Sequence, residues 1–363
     1  MNFLASEPLG RDLRAAVDAA VAAAVAHYSR ELVAIAPELA TAASLASAFT
    51  GGGKRLRPAF CYWGYRCVAT PSDALEPALV DAAASLDVLH VSALVHDDVM
   101  DASDTRRGLP AAHRQFEAQH ADLGLRGSAE AYGRAGAILL GDLLVMWSVQ
   151  MLAESGLPAD AMTRGLPFVH AMRSEVTAGQ FLDVMAQGHP LTSPDRLTTL
   201  VERVVEFKTA KYTVQRPVQF GAALAGASAS QLAALGEYGS ALGRAFQYRD
   251  DVLGIFGDAA VTGKPAGDDL REGKLTALVS SVLEAGGPSA DRLGALLGRA
   301  DLDSDDVDES RTIVRESGAL AAVEEAIESG RTRALAALHT ADFTDDGRQA
   351  LTLLADAATR RSA

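Results

Sequence analysis

ALVDAAASLDVLHVSALVHDDVMD, residues 78–101, is the stretch on which the fold turns. It is rich in alanine and leucine, free of glycine and proline, and too long for a strand, so it predicts one long apolar helix that ends in acid. On that helix Asp97 and Asp101 stand four residues apart and Asp98 and Asp101 three apart, which gathers the carboxylates on one face. Three like charges repel, and the C-terminal end of a helix is the wrong end of its dipole for anions. Such an arrangement makes sense when cations sit on it. Paired hard oxygen donors suit magnesium, which keeps several waters and shares its remaining positions with substrate phosphate. A solvated acidic helix end would read the same way, and the motif alone does not separate the two.

An echo further along the chain separates them. RDDVLG at 249–254 repeats the pattern of HDDVMD at 96–101, and it again lies on an apolar helix. Two acid pairs, Asp97-Asp98 and Asp250-Asp251, suggest facing walls of one cavity. Cations cluster beside these acids in sequence. Gly51-Gly52-Gly53-Lys54-Arg55-Leu56-Arg57-Pro58 is a glycine-rich turn presenting three of them, Arg106-Arg107-Gly108 follows the first acid motif, and Lys208-Thr209, Lys264 and Lys274 add others. Each alone reads as a surface charge. Together, in a chain whose formal net charge is −14, they fit an anionic substrate bridged by metal.

Around these motifs the texture is helical. Strand patterns are scarce and aromatics make up 6% of the chain. Residues 11–36 carry Leu13, Val17, Val21, Val25 and Tyr28 at helical spacing, and 130–154 and 159–187 follow the same logic. Ser193-Pro194 reads as an N-cap and first turn opening 195–215. Helices are also predicted over 229–256, 274–284, 306–328, 332–341 and 345–360, with loops at 102–128, 188–194, 257–273 and 286–288. No segment is long, polar and simple enough to be a tether. The expectation is an all-α chain, one large multi-helix bundle with a central cavity, forming a single domain over 1–363.

Composition removes other classes. A net charge of −14 counts against nucleic-acid backbone or an anionic membrane as the main partner. Cys61 and Cys67 are too few for a disulfide framework or a four-thiolate zinc site and read as reduced core thiols. No run of about 18 consecutive apolar residues occurs, and the first residues carry Glu7, Asp12 and Asp18 rather than a basic-then-apolar leader. A cytoplasmic protein without membrane insertion is expected. GDAAVTGKP at 257–265 has the wrong glycine spacing for a phosphate loop and puts Pro265 where a Ser or Thr is needed. His90 and His96 are wrongly spaced for zinc on one helix turn, and no GxSxG occurs.

With these residues in view, the chain resembles the trans-isoprenyl diphosphate synthases over nearly its whole length. GGKRLRP, HVSALVHDDVMD, RRG, GQ at 179–180, KT at 208–209, FQYRDD and GKPAGDDLREGK at 263–274 occur in the family's order. The resemblance implies a magnesium-dependent condensation of isopentenyl diphosphate with dimethylallyl, geranyl or farnesyl diphosphate. It implies three magnesium ions per site, replaceable by manganese, held by Asp97, Asp98, Asp101, Asp250 and Asp251. Arg106, Lys208, Thr209, Gln247 and Lys264 match positions on the allylic diphosphate, and Lys54, Arg57, His90 and Arg107 match the isopentenyl diphosphate pocket. A homodimer is implied as well. The chain departs from the family at Gly254, where many members carry a third aspartate, and Asp258 or Asp269 would have to compensate.

Chain length rests on the helix before Asp97. Ser92 and Ala93 are small where farnesyl-making relatives carry aromatics, so the tail pocket should run about one helical turn deeper, roughly 5.4 Å, until Leu89 closes it. This favours a C20 product, geranylgeranyl diphosphate, over farnesyl or C25 and longer products. A class I terpene cyclase would need no second diphosphate pocket, so Lys54, Arg57, His90 and Arg107 speak against it. A non-catalytic partner subunit would be expected to lose the acid motifs.

Overall fold

The computed structural model describes residues 3–188, 194–257, 267–299 and 301–360. They are almost wholly helical. The chain divides into two compact units, the first Met1–Tyr62 with Thr70–Met162, the second Trp63–Ala69 with Thr163–Ala363.

The first unit is built around α4 (Glu76–Met100), which has Pro77 in its first turn and is buried on most sides. It packs against α1 (Arg11–Ile35), α2 (Ala40–Thr50), α5 (Ala112–Asp122) and α6 (Ala129–Ala153). The predicted stripe of α1, Leu13 to Tyr28, is the face it buries. The predicted loop 102–128 is more ordered than expected. It holds a hairpin, β1 (Thr105–Arg106) with β2 (Leu109–Pro110), and then α5. Two of the four buried residues of α5 are His113 and His120, which a hydrophobicity count does not register. Helix α3 (Leu56–Arg66) spans the boundary between the units, and Cys61 and Cys67 lie buried as free thiols whose titration burial pushes upward.

The second unit contains most of α7 (Ala159–Gln187), then α8 (Pro194–Val204), a π-helical run (Val205–Gln215), α9 (Arg216–Leu224) and α10 (Ala229–Phe256). The regular helix predicted over 195–215 is therefore only half right: from Val205 the turns widen, and the Arg216 amide bonds Lys211 O, five residues back. The expected cap Ser193 lies outside the described residues. Helix α10 opens with a Ser228/Gln231 capping box. Beyond it come α11 (Asp268–Arg271), α12 (Ala277–Ala285), α13 (Gly287–Leu296), α14 (Ser304–Glu316), α15 (Ala319–Ala337) and α16 (Asp345–Thr359). The helix predicted over 306–328 is broken at Gly318, whose φ of 82° ends one helix and starts the next; the piece predicted at 332–341 continues α15.

The C-terminal helices support α10. Tyr238 donates to Leu351 O at 2.7 Å, and Arg249 grips Glu324 with both terminal guanidinium nitrogens at 2.8 and 2.7 Å while its Nε donates to Thr359 O at 2.9 Å. Val252 and Ile255 of α10 join Leu278, Val282, Leu293, Val314 and Ile327 in one apolar core.

Candidate active site

In the first unit the last turns of α4 and its C-cap carry a partly exposed stripe of His90, Ala93, Leu94, Asp97 and Asp101, with the His90 ring nitrogen Nδ1 buried. Asp98 is turned away from it and is 1% exposed. Arg106 holds the Asp98 carboxylate, its Nε at 2.9 Å and a second guanidinium nitrogen closer still. Burial pushes the Asp98 carboxyl up despite Arg106, and neighbouring Asp97 adds to the rise. Of the three carboxylates Asp98 is buried and clamped, whereas Asp97 and Asp101 are partly exposed. Of the expected tail-pocket residues, Ala93 is half-buried on the accessible stripe, while Ser92 (1% exposed) and Leu89 (5%) face the packed interior.

Arg106 lies on β1, and the tight turn behind it takes Arg107 and Gly108 through positive φ. From there the Arg107 guanidinium reaches the carbonyls of Phe49, Gly51 and Gly52 at 3.3–3.4 Å, satisfying the C-terminal end of α2. The RRG turn is thereby tied to the GGGKRLRP loop. That loop does not present three cations as expected. Arg55, 4% exposed, is consumed by Asp18 at 2.7 Å, by Asp87 and by Thr50 O at 2.9 Å, leaving Lys54 exposed and Arg57 half-buried. Burial, followed by the charges of Arg57, Arg107, Arg106 and Arg55, drives His90 well below the usual histidine range. The charges of Arg57, Arg107, Arg106 and Arg55 thus act together on His90 in a strongly acidic chain, which favours an anion there.

In the second unit α10 carries Gln247, Asp250 and Asp251. A relay leads into it from the π-helical run: Thr209 Oγ1 donates to Gln247 Oε1 at 2.5 Å, and Gln247 Nε2 donates to Asp251 Oδ1 at 2.7 Å. The Ala277 amide donates to the other Asp251 oxygen at 3.3 Å. Burial pushes the Asp251 carboxyl up to about 7, with Asp269 and Asp250 adding to the rise. Lys208 is held by Asp183 on α7 at 2.6 Å. Asp183 was missed in the sequence, although it follows the GQ motif by one helical turn. At Gly179 a Cβ would come within 2.7 Å of Lys208 Cα, so glycine is what lets α7 approach Lys208.

Gly254 is resolved by the same test. A Cβ there would stand 2.7 Å from Cγ of Asp269, and nearer to one carboxylate oxygen. Asp269 thus delivers a carboxylate from α11 into the space where a third aspartate side chain would begin. Lys264 and Asp258 lie outside the described residues.

The donor set fits magnesium better than a closed protein cage. Among the described residues no three His, Cys, Asp or Glu side chains converge on one point. Magnesium takes one or two carboxylates, waters and substrate phosphates, and buried, mutually repelling acids such as Asp251 are the ones a cation relieves.

Comparison with known proteins agrees with this chemistry. The polyprenyl synthetase family profile matches residues 39–314. The chain is 32% identical to geranylfarnesyl diphosphate synthase of Aeropyrum pernix over 298 residues, 81% of this chain and 85% of that one. It is 32% identical to geranylgeranyl diphosphate synthase of Mycobacterium tuberculosis over 278 residues, 76% and 72% of the two chains. Geranylgeranyl pyrophosphate synthase from Corynebacterium glutamicum, crystallised with isoprenyl diphosphate and magnesium, superposes with a TM-score of 0.90 at 36% identity, covering 96% of this chain and 99% of that one. With its acid pairs, arginine-bearing loops and helical architecture, this chain belongs to the polyprenyl synthetase family and is a trans-prenyltransferase.

Proposed function

We propose that the enzyme joins isopentenyl diphosphate head to tail to an allylic diphosphate and releases a linear prenyl diphosphate, chiefly geranylgeranyl diphosphate. One observation carries the reading: on α4 and the loops beside it, Asp97 and Asp101 are partly exposed, and the charges of Arg57, Arg107, Arg106 and Arg55 act on His90 of the same helix. That supplies two modes of diphosphate recognition, one through metal and one direct. Asp97, Asp98, Asp101, Asp250 and Asp251 would hold magnesium, three ions per site with manganese able to replace it, and Asp269 would support the second set. Magnesium bound there neutralises the charge that builds on the departing allylic diphosphate. Arg106, Lys208, Thr209, Gln247 and Lys264 orient that group, while Lys54, Arg57, Arg107 and neutral His90 hold the diphosphate of the second substrate. The allylic C–O bond breaks with its electron pair leaving on diphosphate, the double bond of isopentenyl diphosphate closes on the cation, and the released diphosphate removes the proton. Orientation and exclusion of water matter most, because water would quench the cation.

The small side chain of Ala93 on the accessible stripe supports C20 over C15. Helix α6 supports a homodimer: Tyr132, Leu139, Met146 and Val149 are exposed along it. Both α4 and α6 are long and apolar enough to cross a membrane, but the apolar window of α4 is 78% buried and that of α6 44%. A second copy covering α6, in the cytoplasm, accounts for that face without lipid, and light scattering on the purified protein tests it.

The deciding assay combines labelled isopentenyl diphosphate, each allylic primer and magnesium, followed by chain-length analysis. A dominant C20 product supports the whole reading. C15 or C25 and longer products keep the condensation and discard the tail argument. No condensation by folded, magnesium-supplied protein would favour a class I terpene cyclase or a non-catalytic subunit.

A further inference from the structure

We infer that His96 is a positioning residue that fastens the last turn of α4 to α6 and so fixes the direction in which Asp97 and Asp101 are presented. The inference rests on the reading of those carboxylates as magnesium ligands. The final turn of α4 needs fastening, because it gathers like charges at the unfavourable end of a helix dipole. His96 Nε2 lies 3.1 Å from Ile138 O and 3.3 Å from an Asp142 carboxylate oxygen, both on α6. A carbonyl only accepts, so Nε2 carries the proton and donates. The ring sits directly on the α6 backbone at Gly141, where a Cβ would stand 2.6 Å from both Cδ2 and Cε1 and nearer still to Nε2. Any larger residue at 141 would displace the imidazole. On the far side of Asp97, Asp98 is held by Arg106. The chain is thus gripped at 96 by α6 and at 98 by the hairpin, on either side of Asp97.

The test compares His96→Leu, which keeps bulk and loses the donor, with His96→Gln, whose amide nitrogen restores a donor at similar reach. In metal-free protein, amide exchange at Asp98 to Asp101 is expected to accelerate about tenfold in His96→Leu and to stay within about twofold of wild type in His96→Gln, with the first turns of α4 unchanged. Calorimetric titration with MgCl2 in the presence of inorganic pyrophosphate should show half-saturation rising about tenfold in His96→Leu alone. In turnover the loss should fall on half-saturating magnesium and on KM for the allylic substrate more than on kcat. Gly141→Ala should reproduce His96→Leu, and the double variant should be no worse than either single one; if His96→Leu does not fold, Gly141→Ala carries the comparison. Unchanged exchange at 98–101 in both His96→Leu and Gly141→Ala, or His96→Gln as damaged as His96→Leu, overturns the inference. Absence of magnesium-dependent pyrophosphate binding by the wild-type protein would instead overturn the metal reading and this role with it.

Discussion

The two acid-bearing helix ends, α4 in the first unit and α10 in the second, share a sequence echo but use different chemistry. In both, the residue before the acid pair is an anchor: His96 bonds the backbone of α6, and Arg249 grips Glu324 and Thr359 O. In both, the second aspartate of the pair is buried. The difference lies in what faces it. Among the described residues Asp98 meets a guanidinium, whereas Asp251 accepts from the neutral amides of Gln247 and Ala277, with Asp269 and Asp250 as like-charged neighbours. The first end is compensated within the protein. At the second, Lys274 Nζ stands 4.0 Å from an Asp269 oxygen, but among the described residues the hydrogen bonds to Asp251 itself come from neutral groups, so Asp251 should respond more strongly to magnesium and to pH.

The largest effect expected is at the first end. Asp97→Ala should lower turnover by about 10³-fold or more, because the proposed metal loses a partly exposed ligand there. Its melting temperature should match wild type, and near-normal kcat would remove Asp97 from the metal site. At the second end, Gly254→Asp restores the aspartate common in the family, yet here it should cost about 10- to 100-fold in magnesium affinity, since the new Cβ collides with the Asp269 carboxylate. Combining it with Asp269→Ala should recover most of the loss. Improved affinity in the single variant would show that Asp269 does not stand in for the missing carboxylate.

The same comparison shows what the sequence made legible. Helices α4, α6 and α10 were readable because their apolar runs are long and their ends carry acids or glycines. Helix α5 was not, because histidines supply half of its buried stripe. The π-helical run carries no compositional mark; its widened turns show only in the backbone around Lys208. Arg55 looked like its neighbours Lys54 and Arg57. Its partners Asp18 and Asp87 are remote in sequence, and only folding, with φ of 53° at Arg55, separates the packed cation from the accessible ones. Asp183 was an ordinary acid until Lys208 was found beside it. Motif order nominated the site residues, but which of their charges are partly exposed, clamped or buried depends on contacts between distant segments.

The pH response of the second end follows from Asp251. Its carboxyl is raised from 3.8 in the free residue to about 7 in the fold. Between those values the native state keeps a proton that the unfolded chain releases, so this group's stabilising contribution is full below pH 3.8 and is lost as pH rises through about 7. Metal-free wild type should therefore lose stability relative to Asp251→Asn between pH 5 and pH 8, on the order of 2 kcal/mol, and magnesium should narrow the gap. Parallel denaturation curves at the two pH values would show that Asp251 is already compensated, erasing the contrast with Asp98.

The smallest change in rate and the clearest change in outcome belong to the stripe that leads away from Asp97. Ala93 is one helical turn back, about 6 Å along the axis, and it is accessible where Ser92 is 1% exposed. With a diphosphate held at Asp97 as proposed, the exposure pattern favours a tail running past position 93 rather than 92. Ala93→Phe should therefore shorten the main product by one isoprene unit with kcat for the first condensation little altered. Ser92→Phe should instead overpack the interior, costing about 1–3 kcal/mol of stability while leaving the product distribution unchanged in the protein that folds. Shortening by Ser92→Phe and not by Ala93→Phe would mean that the tail follows the packed face of α4, which requires α4 to turn when substrate binds and the accessible stripe to serve the diphosphates alone.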